Sequence, residues 1–262
     1  VKAAGICGSD LHIYHWDIAF AMKPPMIIGH EFSGVIAELG QGVEGWKPGD
    51  RVTAEPSAII CGECRYCRTG AYNLCASCRV MGYWVNGVFA EFVVVGAHRL
   101  HRLPESVGFA EGALTEPLAC CVHAVHELTG VEVGDFVAVT GPGAIGLLCA
   151  QLARAEGAEV MMVGTGADRD RLAVARTLGI EHCVNLEETD PLEYAREHTE
   201  GYGSLEDDDR PGAFGVGPRV LQGSRLLQRD AVLDPQGSGH GPAVPVCSRV
   251  HHHGLRSSRT GR

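Results

Sequence analysis

Asp135-Phe136-Val137-Ala138-Val139-Thr140 runs straight into Gly141-Pro142-Gly143-Ala144-Ile145-Gly146, and this junction decides the fold. The first six residues form a near-continuous apolar run, the pattern of a strand buried on both faces of a parallel sheet. The Gly-x-Gly-x-x-Gly turn that follows opens an apolar helix over residues 145–156, stopped by Gly157. In that context each glycine has its own task. Gly141 permits the tight turn, Gly143 lets a pyrophosphate approach the backbone, and Gly146 lets the helix press on the strand. The helix N-terminus then faces the phosphates. Gly141, Gly143, Ala144, Ile145 and Gly146 are therefore the expected dinucleotide-binding residues.

Downstream, Glu159-Val160-Met161-Met162-Val163 reads as a second buried strand, followed by a helix over residues 170–178, Gly179, and a short strand near Cys183-Val184-Asn185. Strand, helix, strand, helix, strand is the start of a doubly wound α/β domain of Rossmann type. An acid after the second strand would bind a ribose 2'-hydroxyl, and an arginine would accommodate a 2'-phosphate. Val163-Gly164-Thr165-Gly166-Ala167-Asp168-Arg169 has no acid directly after the strand; Asp168 could reach back to a ribose, and Arg169 or Arg171 could serve a phosphate although both read as solvated helix surface, so the cofactor is read as NAD(P), leaning weakly to NAD. A last helix is expected over residues 192–198, with no fourth strand after it. From Ser204 the chain is rich in Gly, Pro, Arg and Ser, and Phe214 is its single Phe, Tyr or Trp. Residues 204–262 are expected to be an aberrant, disordered tail, such as a shifted reading frame would produce.

Upstream, short Val- and Ile-rich runs such as Val35-Ile36-Ala37-Glu38-Leu39 and Phe89-Ala90-Glu91-Phe92-Val93-Val94-Val95 are broken by Gly, Pro and Asp. These read as strands and turns, with Pro48-Gly49-Asp50 turning into a strand at Arg51. Helical spacing begins at Phe109 and runs to Leu128, closed by Gly130. The opening Val1-Lys2-Ala3-Ala4-Gly5-Ile6-Cys7 reads as the end of a strand entering a loop, as if earlier strands were missing.

The 262 residues are enough for two domains, and 45% hydrophobic with 21% charged is a globular composition. No apolar run approaches the ~18 residues of a membrane span, and eleven cysteines suit a reducing compartment, so a cytoplasmic protein without a membrane partner is expected. Cys61, Cys64, Cys67 and Cys75 have the spacing of tetrahedral zinc, and four thiolates leave no open position, which makes the site structural. Reduced thiols or a disulfide knot could use the same residues, but so tight a cluster suits a metal better. A net charge of -10 and no basic stripe argue against a nucleic-acid partner.

Gly5-Ile6-Cys7-Gly8-Ser9-Asp10-Leu11-His12, Gly29-His30-Glu31-Phe32-Ser33-Gly34, the four-cysteine lobe, Glu116-Pro117-Leu118 and the glycine turn occur in one order. That order closely resembles the zinc-dependent medium-chain alcohol dehydrogenases from Val1 to about Gly203. Within them it looks most like the sorbitol or L-iditol 2-dehydrogenases, with L-threonine 3-dehydrogenase a near relative. The resemblance implies a GroES-like β-rich catalytic domain over 1–115 and a partial Rossmann domain over 116–203. It also implies a catalytic zinc held by Cys7, His30 and a carboxylate, either Glu31 or Glu116, the latter directly or through water. Ser9 and His12 match the residues that relay the alcohol proton, and Asp10 would orient His30. Cys120 and Cys121 read as core thiols. The implied activity is hydride transfer between a polyol or secondary alcohol and NAD(P). L-threonine oxidation, or an inactive truncated zinc-binding relative, is the alternative. Intact relatives are commonly dimers or tetramers, so a homo-oligomer is implied for them, while the strands that would pair across subunits fall in the aberrant region here and leave this chain's oligomeric state open.

Overall fold

A computed structural model describes residues 1–199 and 219–222. The first half is built on an antiparallel sheet. β1 (Ala3–Gly5) leads into helix α1 (Gly8–Tyr14), and β2 (Glu31–Val35) and β3 (Arg51–Ala54) follow. β4 (Ser57–Ile59), the short helix α2 (Arg65–Arg68) and β5 (Arg79–Val80) frame the cysteine lobe, and β6 (Leu100–Arg102) completes the sheet in the order β1-β2-β3-β6. Phe32, Ala54, Met81 and Val88 form its core. The turn before β3 is as expected, with Gly49 at φ 91°.

Two expectations for this half need correction. The strand expected over residues 35–39 instead starts at Glu31 and ends at Val35, because Gly5 and Ala3 of β1 pair with Glu31 and Ser33. Residues 89–95 form no strand. The backbone N–H groups of Val88 and Phe89 are spent on Gly29 and Ile28 carbonyls, at 3.0 Å each, and Val94 is almost fully exposed. Val93 and Val95 still pack against the core, which accounts for the apolar pattern.

The expected long helix is divided into α3 (Phe109–Ala113), α4 (Thr115–Val122) and a wider π-helical turn, His123–Thr129. Gly130 ends it in the left-handed conformation, φ 62°, where a side chain would be strained. Beyond it, β7 (Phe136–Thr140), α5 (Ala144–Ala155), β8 (Glu159–Gly164), α6 (Arg169–Thr177), β9 (His182–Asn185) and α7 (Pro191–His198) alternate as expected. Asp190 caps α7, its carboxylate accepting from the Leu192 and Glu193 N–H groups at 2.8 and 3.3 Å.

In this parallel sheet β7 is buried on both faces. Val137 and Val139 meet Cys149, Ala150 and Ala153 of α5 on one side, and Phe136 and Ala138 join Met161, Val163 and Ala195 on the other. That two-sided burial explains the unbroken apolar run. A tenth strand, β10 (Arg219–Gln222), corrects the expectation of a wholly disordered tail, because its backbone pairs in parallel with β7 in the order β10-β7-β8-β9. Four residues between Gly217-Pro218 and Gly223 are too few to show strand periodicity. The rest of the stretch 204–262 lies outside the described residues. No helix among the described residues is long and apolar enough to cross a membrane.

Candidate functional site

Antiparallel pairing of β1 with β2 sets Gly5 opposite Glu31, so that Cys7, just past β1, approaches His30 and Glu31 across 23 residues of sequence. One ligand atom from each of Cys7, His30 and Glu31 lies within 4.8 Å of the others. Gly5 makes this possible, since a Cβ there would collide with the Glu31 carboxylate. Asp10, in the first turn of α1, accepts from the Cys7 N–H at 2.9 Å and fixes the helix start. Its other oxygen faces His30 Nδ1 at 3.7 Å.

Asp10, His30 and Glu31 are all buried, and Asp10 Oδ1, His30 Nδ1 and Ser9 Oγ have no hydrogen-bond partner among the described residues. Burial pushes the Cys7 thiol and the Glu31 carboxyl above their ordinary values, against the opposing effects of Ser9 on the thiol and of His30 on the carboxyl. Glu116, in the first turn of α4, is likewise raised by burial while His30 holds it down. It stands outside the compact ligand set. Gathering a thiol and two carboxyls out of water is costly unless a cation offsets their charge. One thiolate, one imidazole and one carboxylate suit zinc with a position left open.

Cys120 and Cys121 separate. Cys121 is a core thiol facing Ile145 of α5, as expected. Cys120 sits one helical turn from Glu116, and burial followed by the charges of Glu116, Cys7 and Glu31 pushes it up to about 12, so it borders the Cys7–His30–Glu31 cluster instead of the core. His12 lies on the exposed side of α1, 3.3 Å from Asp17. Tyr83, which the sequence pattern did not single out, packs its ring 5.3 Å from the His30 ring. The flanking glycines in Gly82-Tyr83-Trp84-Val85-Asn86-Gly87 were the available signal of a constrained loop.

In the second cluster, Cys61, Cys64, Cys67 and Cys75 converge within 4.8 Å. Cys75 and Cys67 Sγ stand 3.6 and 3.8 Å from Cys61 Sγ, and the Cys64 sulfur accepts from the Cys67 N–H at the start of α2. Backbone N–H groups of Cys64 and Glu63 hold the Cys61 thiol down to about 6, while burial and the neighbouring thiols push Cys67 up to about 12, so without a cation the four sulfurs do not share the charge equally.

At the glycine turn, Gly141 has φ 87° and a Cβ on Gly146 would collide with the Gly141 carbonyl, whereas Gly143 faces open space at the N-terminus of α5. The tight turn at Gly141 and the close packing at Gly146 are as expected, and Gly143 leaves open space. Past β8, Asp168 is already committed: it accepts from Thr165 N–H and Oγ at 3.1 and 2.9 Å and from Arg171 at 3.0 Å. Arg169 beside it is exposed.

An antiparallel GroES-like domain carrying two metal-ligand clusters, joined to a Rossmann-type parallel sheet, defines the architecture of a zinc-binding dehydrogenase. The alcohol dehydrogenase GroES-like domain matches residues 1–105 and the zinc-binding dehydrogenase domain matches residues 144–204. A sorbitol dehydrogenase from Halalkalibacterium halodurans is 44% identical over 231 residues, 87% of this chain and 65% of that protein. An L-threonine 3-dehydrogenase from Pyrococcus horikoshii is 39% identical over 78% of this chain and 58% of its own length. A solved Sinorhizobium meliloti structure described as a zinc-binding dehydrogenase, bound to NADP, superposes with a TM-score of 0.68 at 40% identity, covering 74% of this chain and 55% of the other. The chain belongs to the zinc-dependent medium-chain alcohol dehydrogenase superfamily. It spans about three fifths of the length of these relatives.

Proposed function

We propose that this chain carries the metal and cofactor sites of an oxidoreductase that transfers hydride between a polyol or other secondary alcohol and NAD(P). The convergence of Cys7, His30 and Glu31 beside Glu116 and Cys120 carries this reading. The sorbitol dehydrogenase relative favours polyols among alcohols.

Cys7, His30 and Glu31 would hold the catalytic zinc, with Glu116 as a second carboxylate that could serve directly or through water. Zinc, when bound, supplies Lewis-acid polarisation of the substrate hydroxyl, and NAD(P) supplies the hydride acceptor. Asp10 Oδ1, 3.7 Å from His30 Nδ1, is placed to accept the Nδ1 proton after a small closing movement, which would leave Nε2 for the metal. Ser9 Oγ, buried and without a partner among the described residues, would accept the substrate hydroxyl proton as it gives up its own, which His12 on the exposed side of α1 would pass to solvent. Cys61, Cys64, Cys67 and Cys75 hold a structural zinc. Gly141, Gly143, Ala144, Ile145 and Gly146 receive the pyrophosphate. Reduced thiols in both clusters suit the cytoplasm.

L-threonine is the second substrate reading, favoured by the threonine dehydrogenase relative. NAD(P)H formation by the purified chain with sorbitol, 2,3-butanediol and L-threonine, each with NAD and with NADP, tests both. Turnover of a polyol or diol supports the proposal, and turnover of threonine alone supports the second reading. No turnover with any of them leaves a non-catalytic zinc-binding relative.

A further inference from the structure

Residues 81–89 are strapped to the segment that delivers His30. Gly87 N–H donates to the Ile27 carbonyl at 2.7 Å, Val88 N–H to Gly29 and Phe89 N–H to Ile28 at 3.0 Å each, and Gly82 N–H closes the loop on Val85 at 2.8 Å. The approach is so close that only glycine fits. A Cβ on Gly82, at φ 80°, would lie 2.6 Å from the Gly29 oxygen, one on Gly87 would collide with the same atom, and one on Gly29 would enter the Phe89 ring. The loop therefore has one placement relative to His30, and that placement sets Tyr83 over the metal ligands.

Phe20 and Trp84 hold the Tyr83 ring at centroid distances of 5.2 and 5.8 Å, and the His30 ring lies on it at 5.3 Å. A phenylalanine would satisfy this aromatic nest equally well, so the hydroxyl is a surplus polar group in a mostly buried place. Ser9 Oγ itself has no satisfying partner. A tyrosine hydroxyl on a ring packed against His30 and a buried serine hydroxyl two residues from Cys7 thus border one ligand set, and a substrate with a single hydroxyl can engage only one of them.

We propose that Tyr83 is a specificity-determining residue whose hydroxyl hydrogen-bonds the hydroxyl adjacent to the reacting carbinol, so that the site selects vicinal diols and polyols over simple alcohols. This rests on the oxidoreductase reading above and extends it to substrate choice. The test compares 2,3-butanediol with 2-butanol, which differ by that one hydroxyl, on the full zinc-loaded chain with cofactor present. Dissociation constants from calorimetry and kcat/KM are measured for wild type, Tyr83→Phe and the ring control Trp84→Phe, each checked for zinc content. One neutral hydrogen bond corresponds to about a 3- to 10-fold effect. Tyr83→Phe should weaken the diol by that factor, leave 2-butanol within about twofold and keep its zinc, while Trp84→Phe leaves the diol preference unchanged. Equal weakening of both alcohols, or of neither, in Tyr83→Phe overturns the assignment of Tyr83 while leaving the oxidoreductase reading standing. A wild-type chain that binds neither alcohol overturns both.

Discussion

Asp10 Oδ1 lies 3.7 Å from His30 Nδ1, both side chains are buried, and neither atom has another partner among the described residues. Buried polar atoms left this way are costly, and a small closing movement gives His30 a fixed tautomer with Nε2 free. Asp10→Asn keeps the shape and loses the charge. We expect zinc affinity at the Cys7 cluster to fall about 10- to 100-fold, measured by competition with a chelator, with the four-cysteine cluster unaffected.

Gly5 opposite Glu31 is the second dependence. Gly5→Ala places a methyl group where the Glu31 carboxylate stands. The variant should retain its four-cysteine zinc and lose the other ion, so that metal analysis reads one zinc per chain.

The glycine turn separates cofactor binding from folding. Gly143 faces open space at φ -79°, so Gly143→Val should leave the melting temperature nearly unchanged while NADH affinity, followed by fluorescence, drops at least about tenfold through blocked approach of the pyrophosphate. Gly146→Ala drives a methyl group into the Gly141 carbonyl and should lower stability by about 1–3 kcal/mol. If both variants lost stability equally, the division of tasks among the glycines would be wrong.

A pH-dependent contribution sits beside the cysteine lobe. Buried Arg99 donates to Glu55 at 2.9 Å and lies 4.0 Å over the Tyr72 ring, tying β3 and β6 to the chain leading into Cys75. Burial works against the Glu55 carboxylate, yet hydrogen bonds from Tyr72 and His101 and the Arg99 charge outweigh it and hold the pKa below the ordinary value. A depressed carboxylate adds stability above its unfolded pKa of about 4.3, and that stability is lost as pH falls through the lower folded value. Glu55→Gln should therefore cost about 1–3 kcal/mol in urea unfolding at pH 7, with the difference shrinking steadily below about pH 4.

Much of this architecture can be read in the chain because its signals are local. Gly130, Gly157 and Gly179 each end a helix where the pattern says, and the two-sided burial of Val137 and Val139 is written as an unbroken run. Cys61 to Cys75 close on one another within fifteen residues. Long-range placements are a different matter. Only the β1–β2 pairing brings Cys7 to Glu31, so that cluster was legible through family resemblance and not through spacing. Tyr83 is set by backbone contacts more than fifty residues away in sequence, which no periodicity records. Cys120 and Cys121 share an apolar helix in sequence, yet adjacent positions on a helix point about 100° apart, so one enters the core and the other borders the Cys7–His30–Glu31 cluster.

Zinc content of the purified chain tests the central claim, that two independent metal sites survive in it. Two ions per chain are expected, falling to one in Cys7→Ser and to one in the double variant Cys61→Ser with Cys64→Ser. A wild-type chain that holds one zinc, unaffected by Cys7→Ser, would contradict the claim and leave only the four-cysteine cluster.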